Sequence, residues 1–158
     1  MTWELKHSVI AEVNRQTAWG FYSNIDNWRR IEGDSTQFEV DGPFQTGTHI
    51  TAKAHGQDPR HSTLTEVEPP ARVVVQMDLN EAVLRFTWTF EELPDNRTRL
   101  TQHVLLEGPG AQGYVPIMEE YLSRNIGKGM EKLAEEMARY DKTRERSRDD
   151  SVVDDMNG

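Results

Sequence analysis

The chain has 158 residues, enough for one domain with its own hydrophobic core and too few for two of ordinary size. It has no cysteine, which excludes disulfides, thiol nucleophiles and cysteine-ligated metal sites. Asp and Glu outnumber Lys and Arg by 27 to 18, and the formal net charge of −9 opposes a phosphate-driven grip on nucleic acid.

Trp3–Val13 alternates as a strand, with Trp3, Leu5, His7, Val9, Ala11 and Val13 on one face. Asn14 suits a helix N-cap, and Arg15–Tyr22 then reads as a short helix carrying Ala18, Trp19, Phe21 and Tyr22. Ser23-Asn24 breaks it. A second short helix, Ile25–Ile31, carries Trp28 and ends at Gly33.

From Gln37 to Leu106 the turn residues recur at hairpin spacing. Between them lie Gln37–Val40, Thr48–His55, His61–Val67, Arg72–Leu79, Val83–Leu93 and Thr98–Leu106, each rich in β-branched or aromatic residues. Six such strands joined by short turns make an antiparallel meander, and Trp3–Val13 adds a seventh.

Gly108-Pro109-Gly110 stops the last strand, and the apolar period then changes. Val115, Met118, Leu122, Ile126, Met130, Leu133, Met137 and Tyr140 recur every three or four residues, which predicts one long amphipathic helix. Beyond Asp141 the chain is charge-rich and almost without apolar residues. The expected organisation is therefore a domain over residues 1–141 and a disordered charged tail over 142–158.

A curved sheet needs a cover on its inward face, and one long terminal helix can lie across it. The expected fold is α+β, a seven-stranded curved antiparallel sheet around a C-terminal helix, with two short helices plugging one end. The space between a twisted sheet and a single helix is hard to fill with side chains and is the expected ligand site.

The apolar runs are short, such as Val73–Val75, so no membrane span is expected. Met1–Ile10 carries charges and no apolar stretch of its own, so no secretory leader is expected and the cytoplasm is the expected compartment.

Several segments resemble one family in order and spacing. They are Ala18-Trp19-Gly20-Phe21, Asn24-Ile25-Asp26-Asn27-Trp28, Val40-Asp41-Gly42-Pro43-Phe44-Gln45-Thr46-Gly47-Thr48, Thr65-Glu66-Val67-Glu68-Pro69-Pro70, Thr98-Arg99-Leu100-Thr101 and Leu106-Glu107-Gly108-Pro109. Together they resemble the START-like superfamily, also called SRPBCC or helix-grip proteins, and within it the polyketide cyclase/dehydrase-like group. The resemblance covers roughly residues 3–140. It implies the helix-grip fold. The family includes polyketide cyclases, lipid and hormone carriers and co-chaperones, so fold alone does not set function.

His7 stands out as a polar residue on an otherwise apolar strand face, where it must find a partner or line a wet cavity. Gln102 shares a face with Leu100, Val104 and Leu106. The resemblance implies that the first and last strands pair, which makes His7 and Gln102 neighbours, as a ligand-facing or a mutually satisfied pair. Leu84, Phe86, Trp88 and Phe90 form a period-two apolar face that either stacks on a flat ligand or packs the core. Arg85 then faces outward, and a one-residue slip would turn it into a ligand-binding cation.

Trp19, Phe21 and Trp28 belong to the plug, where at least one is expected in the pocket wall and Trp19 is read as an anchor. Gly127 and Gly129 each cost about 1 kcal/mol in a helix interior relative to alanine, so each calls for widened space, a close strand approach or a bend. The candidate ligand-binding set is His7, Phe21, Trp28, Phe86, Trp88, Gln102, Ile126 and Met130. No residue is assigned as catalytic; His7 is the one candidate.

The histidines show no metal-ligand spacing, and no nucleotide or serine-hydrolase motif occurs, so neither a metal nor a cofactor is expected. The leading functional expectation is binding of a small hydrophobic or aromatic molecule, as a carrier, sensor or sequestering protein. The alternative is a cyclase/dehydratase-like enzyme using the same cavity, and a third is a co-chaperone or partner-binding module. A homodimer is compatible with all three.

Overall fold

A computed structural model of the chain describes the backbone of residues 2–32 and 36–157 and the side chains of residues 2–30 and 36–141. The strands are β1 (Thr2–Ala11), β2 (Thr36–Val40), β3 (His49–Ala54), β4 (Arg60–Glu68), β5 (Arg72–Leu79), β6 (Ala82–Leu93) and β7 (Arg97–Glu107). They form one antiparallel sheet in the order β1-β7-β6-β5-β4-β3-β2. Consecutive hairpins account for five of its pairings, and β1 closes onto β7. This is the helix-grip architecture that the alternating runs and the resemblance imply.

The alternation of the first run continues past its strand. β1 ends at Ala11, but Val13 is still buried, and its carbonyl accepts a hydrogen bond from the buried Thr98 hydroxyl at 2.8 Å. A side chain thus satisfies the backbone where the ladder stops. In β4 the register with β5 shifts between Leu64 and Glu66, a bulge at Thr65 that bends the strand and adds to the sheet's curl.

Helix α1 (Arg15–Tyr22) starts at Asn14, whose side-chain oxygen accepts from the Thr17 backbone N–H. The second helical stretch is a 3₁₀ turn, Ile25–Trp28, followed by α2 (Arg29–Glu32). Its residues satisfy the carbonyls at the end of α1. The Asn27 amide donates to the Phe21 carbonyl at 3.0 Å, and the Trp28 indole N–H donates to the Tyr22 carbonyl at 2.8 Å.

Gly108 ends β7 with a φ of +132°, and a Cβ there would lie 2.7 Å from the Glu81 carbonyl oxygen, so only glycine fits. The predicted single helix proves to be composite. A 3₁₀ turn (Ala111–Tyr114) leads through α3 (Val115–Met118) and a π-helical turn (Glu119–Ser123) into α4 (Arg124–Asn157). A π turn widens the helix and shifts the phase of its apolar stripe. Ile126, Met130, Leu133 and Met137 are accordingly buried, whereas Met118 and Leu122 are only half-buried and Ile117 and Tyr121 are exposed. The boundary expected at 141 and the disordered tail expected over 142–158 fall where α4 continues as helical backbone to Asn157 and where the side chains lie outside the described residues. Among the described residues, no helix is long and apolar enough to cross a membrane.

Candidate functional site

A cavity of about 320 Å³ lies between the helix and the inner face of the sheet. Period-two alternation delivers its walls. Phe38 comes from β2, Ile50 and Ala52 from β3, Arg60 and Ser62 from β4, Val75 and Met77 from β5, Phe86 and Trp88 from β6, and Gln102 from β7. The plug contributes Tyr22 and Trp28. The helical side contributes Leu122 from the π turn and Asn125, Ile126, Gly129, Met130 and Leu133 from α4.

One end is an aromatic wall. The Tyr22 ring centroid lies 5.3 Å from that of Trp28 and 5.2 Å from that of Trp88, and Trp28 meets Phe38 edge-on at 5.7 Å. Trp19 stands behind this wall, edge-on to Phe44 and Phe90, and does not line the cavity, which fits its reading as an anchor.

Six of the eight candidate ligand-binding residues line this space: Trp28, Phe86, Trp88, Gln102, Ile126 and Met130. Phe21 and His7 do not. Phe21 is fully buried in the core, with its ring edge-on to Tyr140 at 5.5 Å, where it holds α1 to α4. His7 pairs directly with Gln102 across β1 and β7, but its ring is covered by the helix. A Cβ on Gly127 would lie 3.4 Å from its Nε2 and 3.5 Å from its Cε1.

The two helix glycines therefore do different things. Gly127 allows β1 to come close to α4, and Gly129, whose Cβ would meet nothing within 4 Å, leaves open space at the cavity. Arg85 settles on the outer face. Its Nε donates to the Gln76 side-chain oxygen at 3.1 Å, and its Nη1 pairs with Glu107, so the inverted register does not occur.

Of the twelve lining residues outside the candidate set, five lie on β2–β4. Phe38, Ala52 and Arg60 form one cross-strand row, and Val40, Ile50 and Ser62 the next. Their shared parity across the two hairpins was the available signal, but it becomes visible only once both turns are placed.

The polar lining is sparse. Arg60 and Asn125 are exposed at the mouth, and the Asn125 amide donates to the Tyr121 carbonyl at 2.7 Å. Gln102 is half-buried, and its side chain has no hydrogen-bond partner among the described residues. Among the described residues the lining holds no carboxylate and no imidazole. The described residues include no cluster of His, Asp and Glu able to hold a metal ion. The carboxyl of Asp41 is held below its ordinary range, first by the His49 backbone N–H and then by the His49 ring, but this pair sits beside the β2–β3 turn and does not line the cavity. Such a site can desolvate an apolar body, stack on a ring and exchange a few hydrogen bonds.

The family described as polyketide cyclase / dehydrase and lipid transport matches residues 2–138. No curated protein matches the sequence. Among solved structures, the Zhui aromatase/cyclase from Streptomyces sp. R1128 is similar with a TM-score of 0.72 and 13% identity, over 88% of this chain and 95% of that one. Norcoclaurine synthase from Thalictrum flavum, in complex with dopamine and hydroxybenzaldehyde, is similar with a TM-score of 0.69 and 12% identity, over 88% of each chain. At these identities the likeness is one of fold.

Proposed function

Because the chain belongs to the polyketide cyclase / dehydrase and lipid transport family, we propose that it binds a small hydrophobic or aromatic molecule in the cavity under α4, as a carrier, sensor or sequestering protein. The observation that carries this reading is the lining itself: aromatic and aliphatic nearly throughout, with no carboxylate or imidazole among its described residues. Apolar burial would supply most of the affinity, and the few polar groups would set orientation. The similar norcoclaurine synthase holds single-ring aromatic molecules, which supports a ring-sized occupant here. Native mass spectrometry of the purified protein tests the proposal. Retention of a small organic molecule, or micromolar binding (about −8 kcal/mol) of simple aromatic compounds, is expected. Failure of every aromatic compound to bind near its solubility limit would remove the reading.

Cyclase/dehydratase-like catalysis is the second reading, favoured by the cross-strand pairing of His7 with Gln102, which puts an imidazole one residue back from the lining. His7→Ala separates the two readings. A carrier keeps its ligand with altered affinity. An enzyme keeps binding and loses turnover.

A further inference from the structure

We propose that Gln102 is the polar anchor of the cavity, and that the ligand presents a neutral hydrogen-bonding group to it, a phenolic hydroxyl or an aldehyde or ketone carbonyl, at the end that reaches β7. The proposal rests on the cavity-binding reading above and specifies the chemistry of its occupant. Gln102 belongs to a cross-strand row with His7 on one side and Trp88 on the other. The rows flanking it are apolar: Val9, Leu100 and Phe90 on one side, Leu5, Val104 and Phe86 on the other. A primary amide in such a setting has two donors and an acceptor to satisfy. None finds a partner among the described residues, so all three are open to a group that enters the half-open cavity. The helix already covers His7 at Gly127, so of the two polar residues paired here it is the Gln102 amide that meets the cavity, beside the Trp88 ring.

Charge fixes the rest of the assignment. These three rows contain no carboxylate, lysine or arginine, and the His7 ring is turned against Gly127, so an ionised ligand group at Gln102 would lose water without a counter-charge facing it. Among the described residues the one Lys or Arg in the lining is Arg60, exposed on β4 at the mouth, where water also reaches an ionised group. β4 and β7 are three strand positions apart, about 14 Å along the sheet. An ionised end therefore belongs toward β4 and a neutral polar end toward β7, with the aromatic body between them against Phe86 and Trp88.

The test compares naphthalene, 2-naphthol and 2-naphthoate on the full-length chain and its Gln102→Leu and Gln102→Met variants, by calorimetric titration. In the variants, the affinity for 2-naphthol relative to naphthalene should fall roughly fivefold to tenfold, the size of one hydrogen bond. The affinity for 2-naphthoate should stay within twofold, because its carboxylate turns toward β4. An unchanged naphthol-to-naphthalene ratio, or an equal loss for naphthoate, overturns the assignment. A measurement on the unsubstituted chain guards against variants that fail to fold. The Gln102 side-chain amide resonances should shift on adding 2-naphthol and much less on adding naphthalene, and equal shifts overturn the anchor. If none of the three compounds binds the unsubstituted chain at all, the cavity-binding reading falls and the anchor with it, an outcome distinct from binding without discrimination.

Discussion

The imidazole of His7 lies directly beneath Gly127, so near that a Cβ on that glycine would stand 3.4 Å from Nε2. A methyl group would just touch the ring; a larger side chain has no room. The contact bars side chains larger than alanine at this helix position, and it fixes how far α4 stands off the sheet at β1. Gly127→Leu should lower stability by roughly 1–3 kcal/mol through overpacking. Adding His7→Ala should restore most of that loss, because the ring is what the leucine meets. Urea denaturation of the two single variants and the double variant gives the coupling directly. Additive losses would show that the leucine strikes something else.

The strand faces were legible because period two is unambiguous where bulky residues alternate with polar ones, as Leu84, Phe86, Trp88 and Phe90 do. The pairing of His7 with Gln102 followed once β1 was set antiparallel to β7. Phe21 was less accessible, because a short helix carrying Ala18, Trp19, Phe21 and Tyr22 is apolar over most of its circumference, and pattern alone cannot say which ring meets the cavity. Tyr22 does, and Phe21 packs on Tyr140. The π turn at Glu119–Ser123 was invisible because three- and four-residue spacings continue through it. Phe38, Ala52 and Arg60 needed the register of two hairpins, which turn residues bracket but do not set to a single residue.

Leu133 and Met137 are both almost fully buried on α4, but only Leu133 lines the cavity. Truncating a side chain beside existing empty space removes fewer contacts than truncating one packed all round. Leu133→Ala should therefore cost near the lower end of the usual range of about 2–5 kcal/mol, and Met137→Ala nearer the upper end. Equilibrium denaturation decides the order. An effect of Leu133→Ala within error would mean that this part of the stripe contributes no packing.

Two of the four tryptophans, Trp28 and Trp88, line the cavity, and Trp3 and Trp19 do not. Ligand-induced quenching of intrinsic fluorescence should therefore come from the first pair. Single Trp28→Phe and Trp88→Phe variants should each lose part of the quench, and the double variant most of it, while Trp3→Phe leaves it intact. Trp28→Phe should also cost about 1–3 kcal/mol of stability, since the Tyr22 carbonyl loses the indole N–H it now accepts at 2.8 Å. Quenching that survives in the double variant would place the ligand elsewhere.

Gly129 offers the most direct handle on the cavity itself. It sits on α4 at the exposed edge of the lining, between Asn125 and Leu133, and a Cβ there meets nothing within 4 Å. Gly129→Ala should thus realise the helix-propensity gain that Gly127 can take only against the His7 ring, raising stability by up to about 1 kcal/mol. Gly129→Leu should keep most of that gain while projecting its side chain into the space the ligand needs. Affinity for 2-naphthol should then fall at least tenfold, about 1.4 kcal/mol, with no loss in denaturation midpoint. That combination, a more stable protein that binds less, is hard to obtain by damaging the fold. Unchanged affinity in Gly129→Leu would mean that the occupant neither enters past α4 at this point nor rests against it. A drop in midpoint would mean that Gly129 is packed and that the space beside it is smaller than the geometry indicates.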